Sequence, residues 1–258
     1  MQRWNLEWET GIYPGEMVAF LALCDLVGAA SIIESGRGQH AYSTRVLGEY
    51  SERTGAQVVS IDMESDPVRG AECRRMLARY RRVTCLVGDA FDAIPAAAAT
   101  LPGPIAVLLD GPKEFAANRL SLLATVLFPI AAIAHHNSDP GLKWTDEFGR
   151  FFPGAFHYES LYRPDVAEWN AFKRWERETV NGYELPGLPG RSLVQSSLVL
   201  ATVAATPRPI SVLLALDGVR TRASAFSTLL KWQRRCALTM RGGSRSVIVG
   251  TPGPGDTA

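Results

Sequence analysis

Short apolar runs alternate with amphipathic segments along the first 135 residues of this chain. The candidate strands lie at residues 31–34, 57–62, 83–87, 105–110 and 130–134. Segments with helical spacing of apolar positions lie at residues 15–27, 42–54, 67–80, 91–101 and 116–127. Near-continuous apolar strands are typical of parallel sheets that helices cover on both faces. The pattern therefore predicts an α/β protein with a Rossmann-like, doubly wound, mostly parallel sheet.

The pattern loosens after residue 140. Residues 156–161 and 196–203 are two further strand candidates, which would complete a seven-stranded sheet. A stretch of alanine, proline and arginine follows at residues 204–209 and is the best boundary in the chain. We predict one domain over residues 1–203 and an extension over 204–258, which would be a hairpin, a lid or an oligomer contact with a disordered tail.

Composition narrows the classes of function. The 258 residues are 47% hydrophobic, which is enough for a full core, and the net charge is only +1. Such a balance gives no electrostatic basis for binding nucleic acid or an acidic membrane. The first eleven residues contain no apolar signal segment, and the four cysteines have no metal-binding spacing. We expect reduced thiols, a cytoplasmic location, and neither nucleic acid nor membrane as a partner.

A glycine turn follows the first strand. Glu34 is followed by Gly36 and Gly38 and then by a polar segment that can begin a helix. Glycine permits a positive φ and a close approach of a ligand to the backbone, and a helix N-terminus offers unpaired N–H groups. The third glycine of a dinucleotide fingerprint is missing, because His40 and Ala41 occupy its place. The turn thus predicts a ligand site but argues against an ordinary NAD site.

Polar residues end the other strands as well. In doubly wound sheets ligands bind at the carboxyl ends of strands, where this chain has Asp62, Asp89, Asp110 and a polar run at residues 135–139. Asp62 has the position and charge to accept the hydroxyls of a ribose, the alternative being a helix cap. Asp89, after Gly88, would hold the exocyclic amine of a base, the alternative being a plain turn.

Four segments in this order carry a family resemblance. ESG-G, VVSIDM, VTCLVGDAFDAIP and IAVLLDGPK resemble successive motifs of the class I S-adenosylmethionine-dependent methyltransferases, most of all the small-molecule O-methyltransferases of the catechol O-methyltransferase type. The resemblance covers about residues 12–203. It implies an enzyme that transfers a methyl group from S-adenosylmethionine to a hydroxyl of a small molecule. A homodimer would also be in keeping with that family.

The resemblance also implies the residues of a cofactor site. The methionine portion of S-adenosylmethionine would lie against Glu34, Gly36, Gly38, Tyr42 and Ser43. Asp62 would bind the ribose. The adenine would be framed by Met63, Gly88, Asp89, Ala90 and Phe91, and Asp110 would border the cofactor from the fourth strand. The glycine turn is one residue longer than is usual in that family, which puts the contacts of this loop in question.

A metal and a general base are implied in the same way. In that family an Asp after the fourth strand and an Asp-Asn pair after the fifth hold a divalent metal, and a Lys three residues after the first Asp is the base. The matching residues here are Asp110, His136, Asn137 and Lys113. The second carboxylate has thus become a histidine.

The histidine leaves three interpretations open. A site for Mg²⁺ would shift toward Mn²⁺ or softer ions, because imidazole favours them. Without a metal, His136 itself would be the general base. A purely structural histidine is the third. Trp144, which we expect in the loop after this pair, would form a wall for an aromatic or hydrophobic acceptor.

Two other classes of function compete with a methyltransferase. One is a Rossmann-like enzyme that uses another nucleotide, such as a nucleotide-sugar transferase, although only Arg37 and Arg45 near the glycine turn would face a diphosphate. The other is a non-catalytic protein that kept a cofactor pocket.

Overall fold

A computed structural model describes residues 12, 14–38, 40–138, 142–159, 197–203 and 248–249 of the chain. The helices are α1 (Pro14–Leu26), α2 (Tyr42–Thr54), α3 (Pro67–Leu77), α4 (Ala90–Ala98), α5 (Glu114–Leu127) and α6 (Lys143–Phe151). The strands are β1 (Ser31–Ser35), β2 (Gln57–Asp62), β3 (Val83–Val87), β4 (Ile105–Leu109), β5 (Ile130–His136), β6 (Phe156–Glu159), β7 (Ser197–Thr202) and β8 (Ile248–Val249).

The strands form one mixed sheet in the order β6-β7-β5-β4-β1-β2-β3-β8. Strands β1 to β5 are parallel, β7 runs antiparallel between β5 and β6, and β8 pairs antiparallel with β3. Strands β2 and β3 follow on one side of β1, whereas β4 and β5 follow on its other side. The strand order therefore reverses between β1 and β4, and the crevice between these two strands is a topological switch point. The predicted Rossmann-like α/β fold is confirmed. The two residues of β8, which fall within the predicted extension, add an eighth strand.

Helices cover both faces of the sheet because neighbouring residues of each buried strand point to opposite sides. Ile33 belongs to the apolar cluster that contains residues of α4, α5 and α6. Ile32 belongs to the cluster that contains residues of α1, α2 and α3. All five residues of β1 and of β4 are buried. The continuous apolar runs of the sequence thus correspond to strands with a core on each side.

Most predicted elements differ from the structure only at their ends, but one prediction is wrong. Trp144 lies in helix α6 and not in a loop. Trp144 and Phe148 are four residues apart, so a helix places both on one buried face. The ring of Phe148 lies 4.5 Å from that of His135. The predicted helix at residues 169–179 and most of the extension lie outside the described residues.

Three thiols are free and buried, at Cys24, Cys73 and Cys85. Burial is the largest influence on each of them and raises the pKa of all three. Such thiols are poor nucleophiles, so the described cysteines serve the packing of the sheet. Cys236 lies outside the described residues. Among the helices of the described ranges, none combines the length and the apolar character that a bilayer crossing requires.

The loops that follow β1 and β4 touch at Gly36. A Cβ atom built there would lie 2.9 Å from the carbonyl carbon of Asp110 and 2.9 Å from the nitrogen of Gly111, and the φ of Gly36 is +95°. The N–H of Asp110 donates to the carbonyl oxygen of Ser35 at 2.7 Å. Only glycine meets both demands, because any side chain would push the two strand ends apart.

We expect Gly36→Ala to lower the free energy of unfolding more than Gly55→Ala. Gly55 also has a positive φ, of +83°, but a Cβ there meets no atom within 4 Å. The control therefore measures only the backbone strain, of about 1 kcal/mol, and Gly36→Ala adds an overpacking cost of about 1–3 kcal/mol. Urea unfolding of both variants measures the difference. Equal losses would contradict the close contact between the loops.

Candidate active site

Hydrogen bonds join the loops at the carboxyl ends of β1 to β5 into one surface. The N–H of Gly38 donates to Asp62 Oδ2 at 3.0 Å, which joins the first loop to the second. The N–H of Gly88 donates to the carbonyl of Asp62 at 3.0 Å, which adds the third. The loop after β4 is joined to the loop after β1 by a hydrogen bond to Ser35, and it is joined to the loop after β5 by the bond between Lys113 and Asn137. The site residues predicted from the sequence therefore lie along a single edge of the sheet.

Backbone strain is concentrated in these loops. Four non-glycine residues of the described chain have a positive φ: Ala41, Glu64, Glu114 and Asn137. They follow β1, β2, β4 and β5, respectively. Positive φ is costly for such residues, and strained backbone is often found where a ligand or a reaction requires a fixed geometry. Ala41 takes the left-handed conformation that a third glycine would otherwise provide, which is how the longer turn reaches α2.

The first turn of α2 has no side-chain cap. Its N-cap residue is Ala41, which has no polar side chain to offer. Gly38, three residues before Ala41, is exposed, and a Cβ at Gly38 would meet no atom within 4 Å. Tyr42 is half-buried and Ser43 is buried in the same turn. This part of the site fits the carboxylate of an amino-acid group, because helix N-terminal N–H groups and the dipole favour an anion.

Glu34 is fully buried behind this turn. Its Oε2 accepts hydrogen bonds from Thr44 Oγ1 at 2.5 Å and Ser60 Oγ at 2.6 Å. The hydroxyl of Ser43 also interacts with this carboxylate, whose Oε1 is buried. Burial raises the pKa of Glu34, although the neighbouring hydroxyls act in the opposite direction. A buried acceptor of this kind fits the amino group of a bound ligand.

Asp62 is partly engaged by the backbone. Its Oδ1 accepts from the N–H of Glu64 at 2.6 Å, and its Oδ2 accepts from Gly38. A carboxylate has about four acceptor sites, so about two remain for ribose hydroxyls. The side chain of Met63, the next residue, is 72% exposed. An exposed, flexible thioether beside a carboxylate at the sheet edge suits contact with a flat base.

Asp89 caps helix α4, whereas the sequence left a plain turn as the alternative to contact with a base. Its Oδ1 accepts from the N–H of Phe91 at 2.7 Å, and it is the N-cap residue of α4. The residue is exposed, and capping uses one of its two oxygens, so contact with an exocyclic amine remains a prediction. Ala90 is buried and Phe91 half-buried at the start of the same helix.

A buried ion cluster supports the loops from behind, and the sequence did not indicate it. Arg37 is 3% exposed and donates to the carbonyl of Ser60 at 3.0 Å and to Glu64 Oε1 at 2.5 Å. Arg74 pairs with the other oxygen of Glu64. A Cβ at Gly70 would collide with that oxygen, so glycine in α3 makes room for the carboxylate. Arg37 is thereby held away from any diphosphate.

A second cluster joins the ends of β4 and β5 to α1; we call it the charge cluster, and it comprises Glu16, Asp110, Lys113, His136 and Asn137. Lys113 Nζ donates to Asp110 Oδ1 and, at 2.6 Å, to Asn137 Oδ1. His136 Nδ1 lies 2.7 Å from the same oxygen of Asp110. The four residues that the family resemblance singled out thus contact one another.

Glu16 is the member of the charge cluster that sequence reasoning missed. It lies in the first turn of α1, is 0% exposed, and places Oε2 3.4 Å from His136 Nε2. The signal available in the sequence was a lone carboxylate within the otherwise apolar segment at residues 15–24. Its partner is 120 residues away, and only the packing of α1 against the sheet brings the two together.

The two carboxylates hold His136 in its charged form. Burial lowers the pKa of His136, but Asp110 and Glu16 raise it more, to about 9. Burial raises the pKa of Asp110, but His136 and Lys113 together bring it below its usual range. Carboxylate oxygens only accept hydrogen bonds, so both ring nitrogens of His136 donate to them in this arrangement and neither offers a lone pair to a proton or a metal.

The predicted metal site does not fit these residues. Lys113 Nζ lies between the oxygens of Asp110 and Asn137, where a cation ligated by both would stand. Both nitrogens of His136 point at carboxylates. Within the described ranges, no group of three His, Cys, Asp or Glu side chains is arranged to hold a metal ion. The expectation of a metal bound by Asp110, His136 and Asn137 is therefore unsupported.

Two further expectations from the sequence concern β5 and α6. His135, expected to face the sheet without a catalytic role, is 1% exposed, and its Nε2 lies 2.6 Å from Ser121 Oγ. Trp144 is 8% exposed, and its carbonyl accepts from Asn118 Nδ2 at 2.7 Å. Its side chain is mostly packed into the protein, so it offers little surface as a wall for an acceptor.

No family model and no curated protein sequence matches the chain. Among solved structures, it is similar to the O-methyltransferase TomG from Streptomyces achromogenes in complex with S-adenosylmethionine, with 15% identity over 74% of this chain and 81% of that one and a TM-score of 0.49. It is also similar to an O-methyltransferase from Bacillus cereus in complex with S-adenosylhomocysteine, with 15% identity, 74% and 82% coverage and a TM-score of 0.48.

A third solved structure is a precorrin-6y C5,15-methyltransferase from Geobacter metallireducens, with 14% identity, 72% and 86% coverage and a TM-score of 0.42. All three are methyltransferases, the class that the motifs of residues 34–113 resemble. The likeness is too low to carry an argument about the reaction or its acceptor. Those conclusions rest on the geometry of the chain itself.

We expect Arg37→Gln to lower the free energy of unfolding by about 3 kcal/mol, because it leaves the buried Glu64 with one cation in place of two. The matched control is Arg69→Gln. Arg69 pairs with Asp66 at 3.7 Å, and both side chains are nearly half exposed, so the loss should be about 0–1 kcal/mol. Urea unfolding measures both values. A similar small loss in the two variants would show that the buried cluster contributes no net stability.

We expect the stabilising effect of His136 to depend on pH. The folded-state pKa of about 9 lies above the ordinary 6.5, so the contribution is complete below about pH 6.5 and is lost as the pH rises through 9. The difference in unfolding free energy between the wild type and His136→Gln should therefore shrink across that window, by at most about 1.4 kcal/mol per pH unit. Urea unfolding at several pH values measures it. A difference that stays constant or widens would exclude a charged His136.

Proposed function

We propose that this chain is an S-adenosylmethionine-dependent methyltransferase that acts on a hydroxyl oxygen of a small molecule. One observation supports it above the others. The loops that carry Gly38 and Asp62, which we call the cradle, have polar groups suited to a nucleoside. They adjoin, on the same edge of the sheet, the loops that carry the charged residues Asp110 and Lys113. Methyl transfer requires a cofactor site beside an acceptor site, because the acceptor oxygen, the methyl carbon and the sulfur must be aligned.

The cradle would hold the cofactor through groups of three loops. The first turn of α2 would bind its carboxylate, and Glu34 would receive its amino group. Asp62 would accept the ribose hydroxyls, while Met63 and Asp89 would border the adenine. When bound, S-adenosylmethionine would supply an electrophilic methyl carbon to the acceptor oxygen, and the electron pair of the carbon–sulfur bond would stay on sulfur.

Lys113 is the member of the charge cluster best placed to meet the acceptor. Its side chain is 42% exposed, whereas that of His136 is 5% exposed and engaged at both nitrogens. An ammonium has three donors, and two of them point at Asp110 and Asn137. The third would donate to the acceptor oxygen. A cation there lowers the pKa of the hydroxyl, whose proton then leaves to water.

This assignment gives Lys113 a different role from the general base that the family resemblance implied. It also favours an acceptor whose hydroxyl is already acidic, such as a phenol, over the hydroxyl of a sugar. The competing nucleotide-sugar transferase has less support, because Arg37 is buried against Glu64 and only Arg45 remains of the two arginines near the glycine turn. A small-molecule acceptor and a homodimer remain part of the proposal.

Isothermal titration with S-adenosylmethionine and S-adenosylhomocysteine tests the proposal. We expect micromolar binding by the wild type and about 10–100-fold weaker binding by Asp62→Asn, because a charged acceptor of ribose hydroxyls is lost. The matched control is Asp66→Asn, which alters a carboxylate four residues further on that caps α3. Asparagine caps a helix as well as aspartate does, so affinity should be kept within about twofold.

Each other result has a definite meaning. No binding of either ligand would reject the methyltransferase proposal. Binding of a nucleoside diphosphate sugar in its place would favour the transferase. Cofactor binding without methyl transfer to any phenol or alcohol of a broad panel would favour the non-catalytic protein.

A further inference from the structure

The charge cluster contains its own cations at the place where the family resemblance would put a divalent metal. The ammonium of Lys113 connects Asp110 Oδ1 with Asn137 Oδ1, the two oxygen donors of the expected ligand set. Its side chain begins at the N-cap position of α5, where the strained Glu114 follows it. A metal ion ligated by both oxygens would have to displace this ammonium.

His136 is closed to a metal in a second way. Its Nδ1 is directed at Asp110, and its Nε2 is directed at Glu16. The ring is 5% exposed, so it has no room to turn a nitrogen toward solvent. Glu16 is fully buried and comes from α1, on the opposite side of the ring from Asp110. The histidine that replaces a ligand carboxylate is thus held by carboxylates as a cation.

The charges of the cluster balance. Glu16 and Asp110 provide two negative charges, and Lys113 and His136 provide two positive ones, while Asn137 is neutral. Buried or half-buried charges are tolerated when they are paired in this way. A divalent ion added to the balanced cluster would leave an excess of positive charge unless protons were expelled. In a metal site the carboxylates would be balanced by the metal itself.

We propose that this chain needs no divalent metal, because Lys113 and His136 supply the positive charge that a metal would place beside the acceptor oxygen. The inference rests on the proposed function and deepens it. Glu16 holds the Nε2 side of the His136 ring, and Asp110 Oδ1 contacts both His136 Nδ1 and Lys113 Nζ.

Manganese binding to the full chain, followed by electron paramagnetic resonance of free Mn²⁺, tests this without any assay of activity. We expect no saturable site in the wild type up to about 1 mM Mn²⁺, so that any dissociation constant is weaker than that concentration. A site that binds one Mn²⁺ per chain and is lost in Asp110→Asn would overturn the proposal.

A gain-of-binding variant makes the test sharper. His136→Asp combined with Lys113→Met restores the second carboxylate and removes the ammonium. If the native cations are what excludes a metal, this variant should bind Mn²⁺ at least about tenfold more tightly than the wild type. Circular dichroism verifies that it is folded. If the variant is folded and, like the wild type, binds no Mn²⁺, the two cations are not what excludes a metal.

The cofactor titration separates this proposal from the one on which it rests. Wild-type affinity for S-adenosylmethionine should be the same in excess chelator and in Mn²⁺. Loss of cofactor binding in both buffers would reject the proposed function, whereas loss in chelator alone would reject metal independence. Where an acceptor is turned over, chelator should change kcat by less than about twofold, and a rate restored only by added metal would overturn the inference.

Discussion

The site depends on the close contact between the ends of β1 and β4. These strands are neighbours because the strand order in the sheet reverses after β3, so that β4 pairs with β1. The loops that follow the two strands meet where Gly36 lies against Asp110 and Gly111. A glycine with positive φ allows that approach. It turns the first loop toward α2 and fixes the second loop so that Asp110 faces the end of β5. The loops that carry Gly38 and Asp62 and the charge cluster are thereby placed side by side.

Burial of charge is the second constraint on this edge of the sheet. Arg37 and Arg74 both pair with Glu64 behind the cradle, and the charge cluster pairs carboxylates with cations on the other side of the crevice. An unpaired charge in either place would cost several kcal/mol, so the partners have to be present in the folded chain. The same pairing that stabilises the fold fixes which groups remain available to a ligand: Asp62 and Lys113 do, while Arg37 and His136 do not.

Much of this was predictable from local patterns. The apolar runs located β1 to β5, and α2, β2 and β3 have the bounds that the spacing of residues predicted. The polar residues at strand ends predicted the edge on which the site lies, because parallel strands all present their carboxyl ends there. Trp144 was misplaced because a nine-residue helix is short enough to be taken for part of a loop, although its two buried aromatic residues are four positions apart. The helix at residues 169–179 and the domain boundary stay predictions.

The sequence by itself determined the fold class and the identity of the polar groups along one edge of the sheet, since both follow from short-range periodicity and from where each strand ends. Only the tertiary structure decided how those groups are shared among partners. Glu16 and His136 are 120 residues apart, and Arg37 and Glu64 meet across two loops, so no local spacing could reveal that one histidine is charged and one arginine is buried. Charge states and hydrogen-bond partners are properties of the assembled interior, where burial makes every unpaired group costly.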